Sequence, residues 1–438
     1  MKKVFRTRSL VTCNEAHEVF DDAFLAVDGS KIVDLGPWKK RPRSFRVEET
    51  GNSLMMPGLL NLHTHLPMTM FRGLAEDVEL QTWLEKFIFP VEKKFLSPSF
   101  VKLGTELAAC ELIRNGTTYV ADMYFYENEI AKVLDQAGLR GLLGQSFFDA
   151  GGFDSRNLEE SFERAKKLKK QLKNHSRLAA ALAPHAPYTC SLESLRATAD
   201  LAKEERLPIH IHIAETKKEL ADLKRQTGFS PVRILKETGI LEAPFVLSAH
   251  SIWLEDHDFS IFKDHAVTAV INPQSNAKLG SGIAPVRKFL SNQVSFAFGT
   301  DGAASNNRVD IFSEMNLMAK LYRLKEAEMA SFTCAQILDR ATRLAAKAVG
   351  EGHRIGSLEP EKEADFILLD LKSPHLQPFT NAYHHLIYSA AASDVHSVYV
   401  AGRCLMKNRK LKTLQESKIF REVDKVWKKV ADFLKQNR

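Results

Sequence analysis

Histidine pairs with the spacing of metal ligands occur twice in the chain. His63 and His65 are two residues apart, and His210 and His212 repeat that spacing. Residues two apart on a β-strand share a face, so both members of a pair can reach one ion. Neutral imidazole is a good ligand for zinc and for other borderline metals. The chemistry that this spacing suggests is metal-assisted hydrolysis, in which one metal position stays open for water.

The elements that must position these residues are alternating strands and helices. Between Gly58 and about Gly350, short apolar runs alternate with helical patterns such as 99–115 and 158–173, which is typical of repeated β/α units. Eight such runs are enough to close a (β/α)8 barrel, an α/β fold. The predicted strands cover residues 54–65, 117–123, 141–148, 178–184, 208–215, 245–250, 267–272 and 295–301.

Active residues of a (β/α)8 barrel lie at the carboxyl ends of its strands. Histidines and acids end or follow predicted strands one, four, five, six and eight, namely His63, His65, His185, His210, His212, Glu215, His250 and Asp301. Each residue alone has an ordinary explanation: His250 could be a buried structural histidine, and Asp301 could cap a helix. Their shared position at one rim favours a single metal-dependent site.

Both ends of the chain have strand texture that the middle lacks. Gly29-Ser30 between the runs 23–28 and 31–35 predicts a two-residue hairpin, and 364–370 and 396–401 also read as strands. We expect residues 1–57 and 355–438 to build one small β-sandwich domain with a terminal helix from about Gln415. Residues 58–354 would form the barrel.

Composition indicates a globular chain with a large core: 438 residues, of which 44% are hydrophobic and 26% charged. The net charge of +7 is spread over predicted helices such as 164–173 and 425–435, so we expect solvated helix faces and no nucleic-acid partner. The sequence shows neither a signal-peptide pattern nor a long apolar run, and its five cysteines form no CxxC pair. Free thiols, no membrane partner and a cytoplasmic location are expected.

Several segments resemble the deaminase and chlorohydrolase branch of the amidohydrolase superfamily, and within it the 5-methylthioadenosine/S-adenosylhomocysteine deaminases. The resemblance covers nearly the whole chain. It is carried by residues 57–92, GTTYVADMYFY (116–126), APHAPYTCS (183–191), IHIAET (211–216), NPQSNAKLGSGIAPV (272–286), GTDGAASNN (299–307) and GSLEPEKEADFILLDL (356–371).

The resemblance implies that one divalent metal ion is held by His63, His65, His212 and Asp301. Zinc is the usual ion of such a site, and iron or manganese would fit the same ligands. Relatives with two metals carry a modified lysine at the end of strand four, and residues 178–190 contain no lysine, which favours one ion. His210 stands where the family needs no histidine, so we interpret it as a packing or supporting residue, although spacing alone leaves a ligand role open.

Catalytic roles also follow from the resemblance. Asp301 would take a proton from the attacking water, and His250 would orient that water. Glu215 would protonate N1 of an adenine ring while water adds to C6. A helix-start acid is the ordinary alternative for Glu215.

Substrate contacts are implied in the same way. His185 would bind the purine at N3, Ser305 would help to hold the ring, and Trp83 and Glu92 would face the ribose, unless those two belong to an ordinary amphipathic helix. Gln145 and Arg156 stand near positions where some relatives that use S-adenosylhomocysteine carry arginines. Glutamine forms no charged bidentate pair with a carboxylate, so an uncharged 5′ group is favoured.

The predicted function is hydrolytic deamination of a 5′-substituted adenosine, with 5′-methylthioadenosine favoured and S-adenosylhomocysteine or adenosine as alternatives. The partner is a small purine nucleoside, and analogy with the family suggests a homo-oligomer. Rival functions are deaminases of guanine or aminofutalosine, triazine hydrolases and an inactive scaffold. A cyclic-amide hydrolase is disfavoured by Glu215 and by the missing lysine.

Overall fold

The computed structural model describes residues 2–74, 82, 84–327 and 330–436. Within them the strands form a parallel eight-stranded sheet and a mixed nine-stranded sheet. In chain order the strands are β1 (Lys3–Val11), β2 (Val19–Asp28), β3 (Lys31–Pro37), β4 (Arg46–Glu49), β5 (Ser53–Pro57), β6 (Leu59–Thr64), β7 (Thr117–Tyr124), β8 (Arg140–Phe147), β9 (Leu178–Pro184), β10 (Ile209–Ile213), β11 (Val246–His250), β12 (Val267–Ile271), β13 (Ser295–Phe298), β14 (Phe366–Asp370), β15 (Val395–Val400), β16 (Arg403–Lys407) and β17 (Lys410–Leu411).

Helices follow the barrel strands and complete the chain. They are α1 (Phe89–Phe95), α2 (Pro98–Arg114), α3 (Glu127–Ala137), α4 (Leu158–Leu172), α5 (Leu192–Glu205), α6 (Lys217–Thr227), α7 (Pro231–Glu237), α8 (Asp256–Asp264), α9 (Pro273–Lys278), α10 (Val286–Ser291), α11 (Ala303–Asn306), α12 (Ile311–Glu326), α13 (Cys334–Ala341), α14 (Arg343–Ala348), α15 (Ala382–Tyr388) and α16 (Glu416–Gln436). Short 3-10 segments cover Trp38–Lys40, Leu66–Phe71, Ile240–Glu242, Pro374–Leu376 and Ala392–Asp394, and a π-helical turn covers Leu84–Ile88. Among the helices described, none is both long and apolar enough to cross a membrane.

Strands β6 to β13 form the predicted barrel, each hydrogen-bonded to the next in chain order. The first and last strands meet at Asn61, whose amide donates to Thr300 Oγ1 at 2.7 Å and whose Oδ1 accepts from Thr300 N at 3.0 Å. Asp301 N donates to His63 O at 2.9 Å. Closure of the barrel therefore places Asp301 beside His63.

The predicted first strand, 54–65, is wrong as a single element. β5 pairs with β1 and β14 in the mixed sheet, whereas β6 belongs to the barrel. Gly58 lies between them, and a Cβ at that position would come within 2.2 Å of Thr118 Oγ1. The chain passes from one sheet to the other where only glycine fits against the neighbouring strand.

The mixed sheet has the order β17-β16-β15-β14-β5-β1-β2-β3, with β4 beside β1, so it combines strands from both ends of the chain as expected. The hairpin at Gly29-Ser30 is confirmed, with Asp28 paired to Lys31. All five cysteines lie in the described part of the chain and are free. We propose that the domain limits lie at 57/58 and 354/355.

Apolar side chains fill the barrel below its carboxyl rim. Leu60, Leu142, Leu247 and Val270 are buried there, and the helix α14 covers the opposite end through Ala345. The histidines and acids predicted for the site lie at the carboxyl rim, where the strands end.

Candidate active site

Four side chains that the sequence predicts as metal ligands meet at the carboxyl rim. Asp301 Oδ1 lies 3.2 Å from His65 Nε2 and 3.6 Å from His63 Nε2. His212, from the end of β10, places its Nε2 3.3 Å from His65 Nε2. The four residues come from β6, β10 and the segment after β13, so only the closed barrel brings them together.

Two of these imidazoles have their protons fixed by backbone carbonyls. Nδ1 of His65 lies 2.7 Å from Met123 O, and Nδ1 of His212 lies 2.8 Å from His185 O. A carbonyl only accepts, so each Nδ1 carries the proton and each neutral ring turns an Nε2 lone pair inward. Two such lone pairs 3.3 Å apart repel unless a cation lies between them.

The cluster therefore fits a divalent metal ion. The ligating atoms of His63, His65 and Asp301 lie within 4.8 Å of one another, and so do those of His63, His212 and His250. His63 Nε2 is buried and has no hydrogen-bond partner among the described residues. Inward lone pairs with one carboxylate are the donor set of a transition-metal site.

Asp301 is held as an anion. Burial by itself would raise the pKa of its carboxyl, but the adjacent His63 and His65 imidazoles outweigh burial and hold that pKa well below its usual range. Oδ2 accepts from Ser275 Oγ and Ser305 Oγ, each at 2.7 Å, and Oδ1 accepts from Gly302 N at 2.7 Å. Ser305, expected to touch a purine, thus also anchors Asp301.

His250 and Glu215 lie side by side next to the cluster. His250 ends β11 with φ +69°, a left-handed conformation, and its Nδ1 is 2.9 Å from Asn276 Oδ1. Its Nε2 lies 3.8 Å from Glu215 Oε2. Burial raises the pKa of Glu215, whose Oε1 accepts from Ser281 Oγ at 3.1 Å. Burial therefore favours the protonated form of this carboxyl.

A cavity opens directly over these groups. One side is formed by His65, His212, Glu215, His250 and Asp301, and His185 and Ser305 also line it. The other side is largely apolar and consists of Met68, Leu84, Ile88, Phe89, Phe125, Phe148 and Leu279. This is the mixture of apolar walls and few polar groups that suits a small heterocyclic ligand.

Two further predicted residues line the cavity. Burial, with the neighbouring His65 and His250, lowers the pKa of His185 to about 3, so its ring is neutral, and its Nδ1 lies 2.9 Å from Thr189 Oγ1. Burial raises the pKa of Glu92 to about 7, and Tyr124 donates its hydroxyl to this carboxyl. Trp83 lies outside the described residues.

The sequence model of the amidohydrolase family matches residues 54–405. That span includes the whole cluster and every residue of the cavity.

The chain belongs to the amidohydrolase family.

Similar proteins match this amidohydrolase along nearly its full length. The 5-methylthioadenosine/S-adenosylhomocysteine deaminase of Thermodesulfovibrio yellowstonii is 37% identical over 430 residues, 97% of each chain. The 5′-deoxyadenosine deaminase of Methanosphaera stadtmanae is 37% identical over 416 residues, 94% of this chain and 93% of that one. A zinc-bound adenosine deaminase from Xanthomonas campestris has a crystal structure with a TM-score of 0.94 at 33% identity, covering 98% of both chains.

Two residues predicted to contact the substrate, Gln145 and Arg156, have other partners in the structure. Gln145 donates its amide to Asp154 Oδ2 at 3.1 Å, and the Arg156 side chain is 91% exposed and paired with Glu160. Neither residue lines the cavity. Successive side chains of a strand point to opposite faces, and in β8 it is Ser146 that reaches the cavity.

Three residues that hold Asp301, His250 and Glu215 in place were not predicted from the sequence. Ser275, Asn276 and Ser281 contact Asp301, His250 and Glu215, respectively. All three belong to the segment 272–286, which follows β12 at the same rim. The signal was a run of short polar side chains immediately after a predicted barrel strand.

Proposed function

We propose that this amidohydrolase deaminates a 5′-substituted adenosine, replacing the 6-amino group by oxygen and releasing ammonia. The observation that carries the proposal is the position of Glu215, a buried acid with a raised pKa in the same cavity as the histidine–Asp301 cluster. Attack of water on C6 of a purine requires a proton donor at N1 as well as an activated water. The similar deaminases, whose names all include an adenosine, support the same reaction.

We propose that His63, His65, His212 and Asp301 bind the metal and that the ion is zinc. The inward Nε2 lone pairs and the zinc named for the Xanthomonas campestris structure support this choice. When bound, such an ion lowers the pKa of a coordinated water to about 7 and makes hydroxide available at neutral pH.

Asp301 accepts a proton from the attacking water, and His250 orients that water. Oδ1 of Asp301 faces His63 and His65, and Oδ2 accepts hydrogen bonds from Ser275 and Ser305, so the carboxylate is held in place to take the proton of the water. His250 has an Asn276 oxygen at Nδ1, which favours a proton there and a lone pair on the inward Nε2. That lone pair orients the water toward C6.

Glu215 supplies the second proton. Ser281 donates to Oε1, so the acid proton is carried on Oε2 and passes to N1 of the purine. After addition at C6, the proton held on Asp301 moves to the 6-amino group, which leaves as ammonia, while the new C6 hydroxyl returns its proton to Glu215 and becomes the carbonyl. Water and the 6-aminopurine nucleoside thus yield the 6-oxo product and ammonia in balance.

The remaining cavity residues would bind the nucleoside. His185 is neutral, and with Thr189 Oγ1 donating to its Nδ1 the ring proton lies on Nε2, which donates to purine N3. Glu92 has acceptor oxygens for the two ribose hydroxyls, and its contact with Tyr124 fixes its orientation. A ribose role for Trp83 stays a sequence prediction.

The 5′ substituent is best accommodated if it is uncharged. No lysine or arginine lines the cavity in the described part of the chain, and residues 75–81 and 83 contain none. Phe89, Phe125 and Phe148 instead present apolar surface. A free carboxylate there would lose its hydration without a charged partner, so 5′-methylthioadenosine is favoured over S-adenosylhomocysteine.

Ammonia release by the zinc-loaded protein tests this assignment. The substrates are 5′-methylthioadenosine, 5′-deoxyadenosine, adenosine, S-adenosylhomocysteine and guanine, compared side by side. We expect kcat/KM for 5′-methylthioadenosine to exceed that for S-adenosylhomocysteine by about tenfold or more. Equal values for these two would contradict the apolar 5′ site, and turnover of guanine alone would replace the proposed substrate class.

A further inference from the structure

A second histidine lies directly behind His63. Nδ1 of His63 is 2.9 Å from Nε2 of His210, with the two rings at 74° and both residues fully buried. His65 and His212 use backbone carbonyls at the corresponding nitrogen. His63 therefore differs from the other two imidazoles of the cluster, because its outer partner is an imidazole that can either donate or accept.

The direction of this hydrogen bond decides what His63 presents to the cluster. If His63 Nδ1 donates to His210 Nε2, the neutral His63 ring has a free lone pair on Nε2, as a metal ligand requires. In the opposite direction, His63 Nε2 would carry the proton and point it at Asp301 Oδ1, 3.6 Å away. His63 Nδ1 can donate to His210 only if the neutral His210 ring carries its proton on Nδ1 and has a lone pair on Nε2.

His210 is a costly residue for mere packing. Its Nδ1 interacts with the backbone of Asp122 but makes no hydrogen bond of good geometry among the described residues. A buried polar atom without a good hydrogen bond is destabilising, whereas the isoleucines that alternate with His210 on β10 have no polar side-chain atom. An apolar side chain would fill the same space more favourably.

We propose that His210 is a positioning residue for the metal: it accepts from His63 Nδ1, fixes the His63 tautomer and turns the His63 Nε2 lone pair toward the ion. The proposal rests on the metal site proposed above. It assigns a role to the one histidine of the His210/His212 pair that the metal site itself does not use.

Two substitutions separate this role from packing. In His210→Gln, the amide oxygen is as many bonds from Cβ as Nε2 of histidine and can still accept from His63. His210→Leu fills the space but has no acceptor. Ile211→Val, on the opposite face of the same strand, is the control for a small change of packing in β10.

The measurements are the zinc dissociation constant, from competition with a chelator, and the melting temperature of the metal-free proteins. We expect His210→Leu to weaken zinc binding about 10–100-fold, with no fall in the metal-free melting temperature. His210→Gln and Ile211→Val should bind zinc within about threefold of the wild type. Wild-type affinity in His210→Leu, or an equally large loss in His210→Gln, would overturn the proposal.

The same experiment distinguishes failure of the proposed function. A wild-type protein that binds zinc tightly but releases no ammonia from any adenosine would refute the deaminase assignment while the His210 comparison still stands. If the wild type binds zinc tightly and His210→Leu has the same zinc affinity, only the role of His210 is refuted.

Discussion

Glu215 and Asp301 are carboxyls of one cavity whose surroundings move their pKa values in opposite directions. Burial dominates at Glu215 and raises its pKa. At Asp301 the effect of burial is outweighed by the adjacent His63 and His65 imidazoles, which lower the pKa well below its usual value. Separation of this kind lets one residue donate a proton while the other accepts one at the same pH.

The Glu215→Gln substitution tests whether Glu215 is the proton donor of the pair. Glu215→Gln keeps the size and the contact to Ser281 but has no acid proton, so we expect kcat to fall about 10²–10⁴-fold. The zinc content, measured by atomic absorption, should be unchanged because Glu215 is not among the proposed ligands. Glu193→Gln, on the exposed surface of α5, is the matched control. Full turnover in Glu215→Gln would contradict the assignment.

Glu92 should give folding a measurable pH dependence. Burial raises the pKa of its carboxyl from 4.5 to about 7, so between these values the folded state keeps a proton that the unfolded chain has released. The contribution of Glu92 to stability therefore becomes less favourable as the pH rises through this window.

Glu92→Gln has no titrating group at this position. The melting temperature of the metal-free variant, relative to that of the metal-free wild type, should be higher at about pH 8 than at about pH 5. A difference that is the same at both pH values would show that Glu92 stays ionised in the folded protein.

At the scale of elements, strand periodicity predicted the barrel because each apolar run is one buried strand. It failed at residues 54–65, since β5 and β6 are both fully buried and nothing local marks the change of sheet except Gly58. The same limit explains why the sequence did not show that Ser146, and not Gln145, reaches the cavity. In a fully buried strand, the face of each residue cannot be read from alternation of polar and apolar residues. The ligand cluster was predictable because it lies at strand ends, whereas Ser275 and Ser281 lie in a segment placed only by the folded rim.

Gly58→Ala tests the crossing between the two sheets. The added Cβ meets Thr118 atoms at 2.2–2.7 Å, so we expect a loss of about 1–3 kcal/mol in the free energy of unfolding by denaturant. Thr118→Gly removes the side chain that would be struck. If Gly58→Ala costs as much in the Thr118→Gly background as in the wild type, the clash is not the cause.

The whole molecule depends on contacts that join the barrel to the mixed sheet. Arg140 of β8 is 1% exposed, and its guanidinium contacts Asp365 Oδ2 at 2.6 Å and Glu363 Oε2 at 2.5 Å. Both acids immediately precede β14, so this buried ion-pair network links a barrel strand to a strand from the C-terminal part of the chain. Removing the cation leaves two acids close together at the junction.

Arg140→Met should therefore lower the free energy of unfolding by about 3–5 kcal/mol, the usual cost of breaking a buried ion pair. Chemical denaturation followed by circular dichroism measures it. Arg156→Met removes an exposed arginine from the segment between β8 and α4, and it should change stability by less than about 0.5 kcal/mol. Equal effects of the two substitutions would show that the Arg140 network does not join the two sheets energetically.

Deamination of an adenosine by this amidohydrolase should depend on its histidine–aspartate metal site. The most direct test is ammonia release from 5′-methylthioadenosine by metal-free protein, followed through titration with zinc. We predict negligible release without metal and full recovery at about one zinc ion per chain, with no recovery in Asp301→Asn. Undiminished release by the metal-free protein, or none at any zinc level with zinc shown to be bound, would contradict the claim.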